Sequence, residues 1–195
     1  MTKFYIWRMV RNSNLRKSIC AIALFLMFNL LVDNHCNAQK VFDIARTGTV
    51  QQMTKHLKKY PDDLNRISEH DASPFLLAAY NGNNKVAMLL IEKGADLKQC
   101  YPEGSVVYAL IYKNNLSLLD TILSKGVNVN DTCNFSQFGY PIHFALALQR
   151  YDVIERLFLQ DLNLSIKDPQ GRTIEQLLAL YNDKKYYEIF KQYEK

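Results

Sequence analysis

Histidine is scarce in this 195-residue chain, at four positions, and glycine is held to seven. No histidine stands at a metal-ligand spacing from another histidine or from a cysteine, so the sequence offers no zinc-type site. Gly82, Gly94, Gly104 and Gly126 are scattered as punctuation and form no loop that could cradle phosphates. No apolar run reaches the ~20 residues that span a bilayer comfortably. The uncharged run Ser18–Val32 stops at 15, and Asn29 interrupts it. The paired acids Asp62 and Asp63 read as a solvated turn, and His56 and His70 as surface residues. These readings point to a protein with no catalytic residues, no metal and no cofactor.

What is present is an ordinary globular balance, 48% hydrophobic and 22% charged. The net charge of +5 is unevenly placed. Residues 1–38 hold five of the 24 cations and one of the 19 anions, leaving 19 against 18 in the rest. A general electrostatic case for nucleic acid or an acidic membrane disappears with that segment. The segment itself reads as an address. Lys3, Arg8, Arg11, Arg16 and Lys17 form a positive region, the apolar run follows, and Cys36-Asn37-Ala38 supplies small residues for cleavage before Gln39. The residues preceding Cys20 and Cys36 do not form a lipobox. The expectation is a cleaved secretory signal over 1–38 and a periplasmic or secreted protein over 39–195; a retained leader that tethers an adaptor to the membrane is the alternative.

The remaining chain repeats itself. Ser73-Pro74-Phe75-Leu76-Leu77-Ala78-Ala79, continuing through Gly82, Val86, Leu89-Leu90 and Gly94-Ala95-Asp96, is one copy. A second begins at Ser105-Val106-Val107-Tyr108-Ala109 and runs to Gly126-Val127-Asn128. A third begins at Tyr140-Pro141-Ile142-His143-Phe144-Ala145, and a shorter one at Gly171-Arg172-Thr173. Upstream, Phe42-Asp43-Ile44-Ala45 through Gly48, Met53 and Leu57 is a weaker first copy. The spacing of about 33 residues and the Ser-Pro-Phe-Leu-Leu-Ala and Tyr-Pro-Ile-His-Phe-Ala openings resemble the ankyrin-repeat family. The resemblance covers residues 40–195. It implies an all-α ankyrin-repeat solenoid of about five helix-turn-helix units with short inter-repeat loops, over 40–71, 72–103, 104–138, 139–170 and 171–195. It also gives His143 a role in turn hydrogen bonding.

Local chemistry supports the same architecture. Pro74 suits the first turn of a helix, where its missing N–H is not needed. Val86, Leu89 and Leu90 recur at helical spacing, and Gly94 supplies a left-handed terminator. Asp161 stands where the third of the three full copies should carry that glycine. A single helix pair cannot bury its own apolar stripe, so stability comes from stacking neighbours. The outer ends are wet: Gln51, Gln52, Lys55, Lys58 and Lys59 on one side, and the Lys184-Lys185 and Gln192–Lys195 stretches on the other.

Cys100 and Cys133 occupy nearly equivalent places in successive inter-repeat loops. Packed helices stand about 10 Å apart, more than the separation a disulfide allows, although loop tips can close that gap. A Cys100–Cys133 disulfide and two unpaired loop thiols both remain open. The four Asn-x-Ser/Thr triplets, at Asn115, Asn130, Asn134 and Asn163, carry no argument without a known secretory route.

The resemblance further implies that partners bind a concave face built from loop tips and the outer side of each first helix. Position by position this gives Arg46, Tyr80, Tyr112, Ala147 and Leu180, then Thr47, Asn81, Lys113, Leu148 and Tyr181. The loops add Lys98, Gln99, Tyr101, Asn134, Phe135, Gln137 and Phe138, with Phe138 also suited to packing. Tyrosine offers large contact area at low rotamer cost, so Tyr80, Tyr112 and Tyr101 are expected to form an exposed stripe. The function that follows is stoichiometric binding of a partner protein by a monomer, with no nucleic acid and, after cleavage, no membrane. An immunity or inhibitor protein against an exported toxin or enzyme is one version. A thiol-dependent enzyme using Cys100 or Cys133 is the opposed reading, and neither cysteine has a histidine near it in sequence.

Overall fold

The computed structural model describes residues 39–130, 133 and 137–193. The leader, Asn134 and Phe135 lie outside the described residues. Among those described there are ten α-helices and no strand, with Tyr101 and Gly104 paired as an isolated bridge. They are α1 (39–47), α2 (Val50–Lys59), α3 (Pro74–Tyr80), α4 (Asn84–Glu92) and α5 (Val106–Lys113). There follow α6 (Leu116–Ser124), α7 (Pro141–Ala147), α8 (Tyr151–Phe158), α9 (Ile174–Tyr181) and α10 (Lys184–Tyr193). A 3₁₀ turn, Pro61–Asn65, follows α2. Val41–Lys195 is one compact unit.

Helices start where side chains can occupy the orphan N–H groups of a first turn. Thr49 and Gln52 form a reciprocal capping box on α2, and Thr173 and Gln176 repeat it on α9. Ser73 Oγ accepts from the Leu76 N–H ahead of Pro74, which stands in the first turn of α3.

The turns carry their own period. Between the two helices of a pair, Gly82, Asn114, Gln149 and Asn182 all take positive φ. Before each pair, Asp71, Gly104, Gly139 and Gly171 do the same. Only Gly82 uses glycine at the first of these positions, so the sequence template blurs where the backbone does not. Gly139 also meets a steric demand, since a Cβ there would stand 3.0 Å from both the His143 ring and Pro169. The missing glycine at Asp161 has a plain consequence. α8 ends at Phe158 with Leu159 as a right-handed cap, and no left-handed residue follows just after it among those described.

First helices α3, α5 and α7 stack in one row. Second helices α2, α4, α6, α8 and α10 stack behind them. Between the rows lies a continuous core that includes Phe75, Leu90, Leu110, Ile111, Leu119, Ile122, Ile142, Ile154 and Leu177. Hydrogen bonds about one repeat apart stitch the stack. The Asn83 amide donates to the Ala45 and Gly48 carbonyls, and the Asn84 and Asn115 amides exchange bonds at 3.2 and 2.7 Å. The Asn130 side chain meets Asn163 N–H and the Asp161 carbonyl.

Two sequence expectations at the first repeat are corrected. His56 and Asp63 are buried, not solvated, at 6% and 2% exposure. His56 Nε2 stands 2.7 Å from Asp63 Oδ2, and Asp63 also accepts from Arg66 Nε. The 3₁₀ turn folds the acid back under α2, so a pair seven residues apart closes inside the first repeat. Asp62 stays exposed, and so does His70.

Candidate functional site: the first-helix face

The residues at the ends of the first helices form one face. Tyr80, Tyr112, Ala147 and Leu180 are exposed and Arg46 is half-buried. In the adjoining column Thr47, Asn81, Lys113 and Tyr181 are exposed and Leu148 is half-buried. These positions fall at the C-terminal ends of first helices that run seven to nine residues. The apolar stripe of each is spent on neighbours before the last turn.

At the centre of the face, Tyr80 and Tyr112 stack with ring centroids 5.9 Å apart and planes at 1°. Their exposures are 45% and 48%. Lys113 Nζ lies 4.5 Å from the Tyr80 centroid and 5.5 Å from that of Tyr112, within cation–π range of both. Arg150 reaches the same place from the turn before α8, donating from Nη2 to the Tyr112 carbonyl at 3.1 Å. Below the tyrosines runs a groove of about 480 Å³, walled by Leu76, Leu77, Ala109 and Phe144 with Glu103 and Ser105 at its loop end.

Tyr101 departs from expectation. It is 6% exposed and is no loop-tip contact. Its N–H and carbonyl pair with Gly104, and its hydroxyl stands 2.6 Å from Ser73 Oγ, the cap of α3. Burial pushes the phenol up to about 12; the Ser73 hydrogen bond works against that rise and Asp96 adds to it. Tyr101 therefore forms a fixed wall of the groove and contributes no mobile side chain. Phe138 is half-buried and packs edge-on against Phe144 at 4.8 Å. Lys98 and Gln137 are exposed, Gln99 is half-buried, and none of them borders the groove.

Cys100 and Cys133 are joined as a disulfide, with Cα atoms 5.7 Å apart. The bridge ties the loop before α5 to the loop before α7, next to Tyr101. Bonded cysteines supply no nucleophilic thiol. The buried His56–Asp63 pair is closed off by Arg66 and by the Tyr60 ring, 5.1 Å from His56. Among the described residues, no group of three His, Cys, Asp or Glu side chains comes together as a metal site. No described helix is long and apolar enough to cross a membrane.

Two tyrosines that sequence reasoning left unassigned hold the stack together. Tyr108 Oη donates to the Gly139 carbonyl, and Tyr186 Oη donates to the Leu146 carbonyl at 2.6 Å. A helical apolar pattern with tyrosine on its inward side was the available signal. His143 behaves as the resemblance implies, with Nδ1 accepting from the Tyr140 N–H at 3.2 Å.

Models of known families match two parts of this stack, one described as ankyrin repeat at residues 70–100 and one as ankyrin repeats (many copies) at 107–158. These segments are ankyrin repeats. They contain α3, α4, all but the first residue of α5, and α6 to α8, so both tyrosines lie on ankyrin-repeat helices, while Tyr101, Glu103, Gly104 and Ser105 at the groove's loop end fall between the two matched segments. Ankyrin repeats as a class mediate protein–protein contacts, and the first-helix face is left free here. No curated protein matches the chain.

Proposed function

We propose that this is an exported, non-enzymatic ankyrin-repeat protein that binds a partner protein through its first-helix face. The observation that carries the reading is the stacked, half-exposed Tyr80–Tyr112 pair beneath Lys113, set over an apolar groove. Large aromatic area left outside a well-filled core is what interface centres use. A partner of ordinary size would cover about 800 Å² of this surface. Export is supported by the composition of residues 1–38 and by the Cys100–Cys133 bridge, which suits an oxidising compartment.

The test is affinity capture from an envelope fraction, read by mass spectrometry, with the parent protein beside the Tyr80→Ala/Tyr112→Ala variant. A specific protein should be retained by the parent and lost by the variant, while the two melt alike. Retention unchanged by the double substitution would refute the assigned face. N-terminal sequencing of the exported protein should begin at Gln39; an intact Met1 would show a retained leader instead.

A further inference from the structure

We infer that the groove takes a short extended segment of the partner in which apolar side chains lie between one acidic and one basic residue, the acid on Lys113 and the base on Glu103. This deepens the reading above and rests on it.

Glu103 borders the groove at the loop before α5, and at the helix's other end Lys113 lies over Tyr80 and Tyr112, the two rings that line the groove there. Neither side chain has an ion-pair partner among the described residues. Arg150 strengthens the positive end, because its guanidinium reaches the Tyr112 carbonyl and its buried Nε donates to nothing among the described residues. The groove is thus negative at its mouth and positive at its far end.

Length follows from the helix. At about 1.5 Å per residue, Val106 to Lys113 spans about 10 Å. An extended chain covers that distance in about three residues. Between the two charges the walls are Leu77, Ala109 and Phe144, which reward apolar side chains and penalise an unpaired polar one. The ligand's charged residues therefore flank an apolar centre of about that length. Lys113 is already positioned over two rings, so pairing with a carboxylate costs little further ordering.

The experiment uses the full chain as the cell produces it and fluorescein-labelled peptides with a leucine–phenylalanine–leucine centre, read by anisotropy at physiological salt. The flanking positions carry aspartate and lysine in either order, aspartate at both ends, lysine at both ends, or glutamine at both. One mixed-charge order should bind about fivefold tighter or better than the glutamine peptide and both like-charged peptides, the scale of a partly exposed ion pair. Lys113→Gln and Glu103→Gln should each erase that advantage without lowering the melting temperature. Equal binding of all five peptides, tighter binding of a like-charged or glutamine peptide, no binding of any, or an advantage that survives Lys113→Gln would overturn the inference. The face itself is judged separately. If capture of an envelope protein still needs Tyr80 and Tyr112 while the peptides show no charge preference, the charge assignment alone falls.

Discussion

Tyr108 and Tyr112 stand one turn apart on α5, yet they belong to different regions of the molecule. Tyr108 is 3% exposed, with its hydroxyl fixed to a carbonyl of the next repeat. Tyr112 is 48% exposed and stacks on Tyr80 from the preceding repeat. The first belongs to the seam that joins repeats and the second to the face that the seam leaves free. Residue type does not separate them. What separates them is what the next repeat offers: Tyr108 meets the Gly139 carbonyl and the Phe144 ring, whereas only Ala147 stands at the place equivalent to Tyr112. A short helix in a stacked array thus divides its own side chains between stability and recognition within a single turn.

The largest expected effect tests that division directly. Tyr108→Ala should cost about 4 kcal/mol by urea denaturation, as large-to-small changes of buried aromatics do. Tyr112→Ala should cost under about 1 kcal/mol, because only an exposed stack is lost. Similar losses at the two positions would abolish the distinction. Tyr108→Phe sharpens it, since it deletes only the hydroxyl's bond to the Gly139 carbonyl and should cost about 1 kcal/mol.

The disulfide tests whether the groove's rim belongs to the seam. It closes a sequence separation of 33 residues, and the chain-entropy account gives an upper value of about 3–4 kcal/mol for such a link. Cys100→Ser/Cys133→Ser should lower the urea midpoint toward that limit and leave the helical circular dichroism intact. Midpoints that agree with and without reductant would mean that repeat stacking alone fixes the rim.

The first repeat is closed from within by the His56–Asp63–Arg66 cluster, where the later repeats are joined to one another by phenols. Asp63→Ala leaves His56 without its buried acceptor and Arg66 without its carboxylate. A loss of about 2–3 kcal/mol is expected, below the fully buried case because Arg66 is 43% exposed. Hydrogen exchange should show that loss as earlier opening of α2 and the 3₁₀ turn than of α5 and α6. Uniform acceleration across all repeats would show that the array unfolds as one unit and has no separable end.

Much of this architecture was legible from period alone. The Ser-Pro and Tyr-Pro openings, the paired apolar stripes and Gly94 place the helices, because helix starts and buried faces are set by residues close together in sequence. The exposed columns followed too, since Tyr80 and Tyr112 occupy equivalent places in their units. Pairings across the structure were not legible. His56 and Asp63 look like surface polar residues until a 3₁₀ turn brings them together. Tyr101 looks like a loop aromatic until its backbone pairs with Gly104 and its hydroxyl meets Ser73 from 28 residues away. Left-handed turns filled by Asn114, Gln149 and Asn182 gave no glycine to read. In each case the deciding contact depends on geometry that a one-dimensional pattern does not carry.

The smallest effect concerns the seam's response to acid, and its sign can be worked out from His143. Burial lowers the pKa of this imidazole; the Asp168 carboxylate pulls it back up and Arg172 pushes it further down. A folded-state pKa below the unfolded value means that the folded protein binds fewer protons, so stability rises with pH through this region and is lost as pH falls below about 6.5, the unfolded histidine value. Protonation also converts Nδ1 from an acceptor of the Tyr140 N–H into a donor, which breaks the turn bond. Asp168 adds a second loss at lower pH. Burial disfavours its charge, but the Arg172 side chain and the N–H groups of Arg172 and Gln170 outweigh that and hold its pKa down. Its stabilisation is therefore present above the ordinary aspartate range and fades as pH falls through the folded value. Urea midpoints measured downward from pH 7.5 should fall in two stages, and His143→Gln should remove the first stage while leaving the second. The exposed face has no part in either stage, so Tyr80→Ala/Tyr112→Ala should follow the parent curve; a profile flattened by that pair would show that the face and the seam are one system after all.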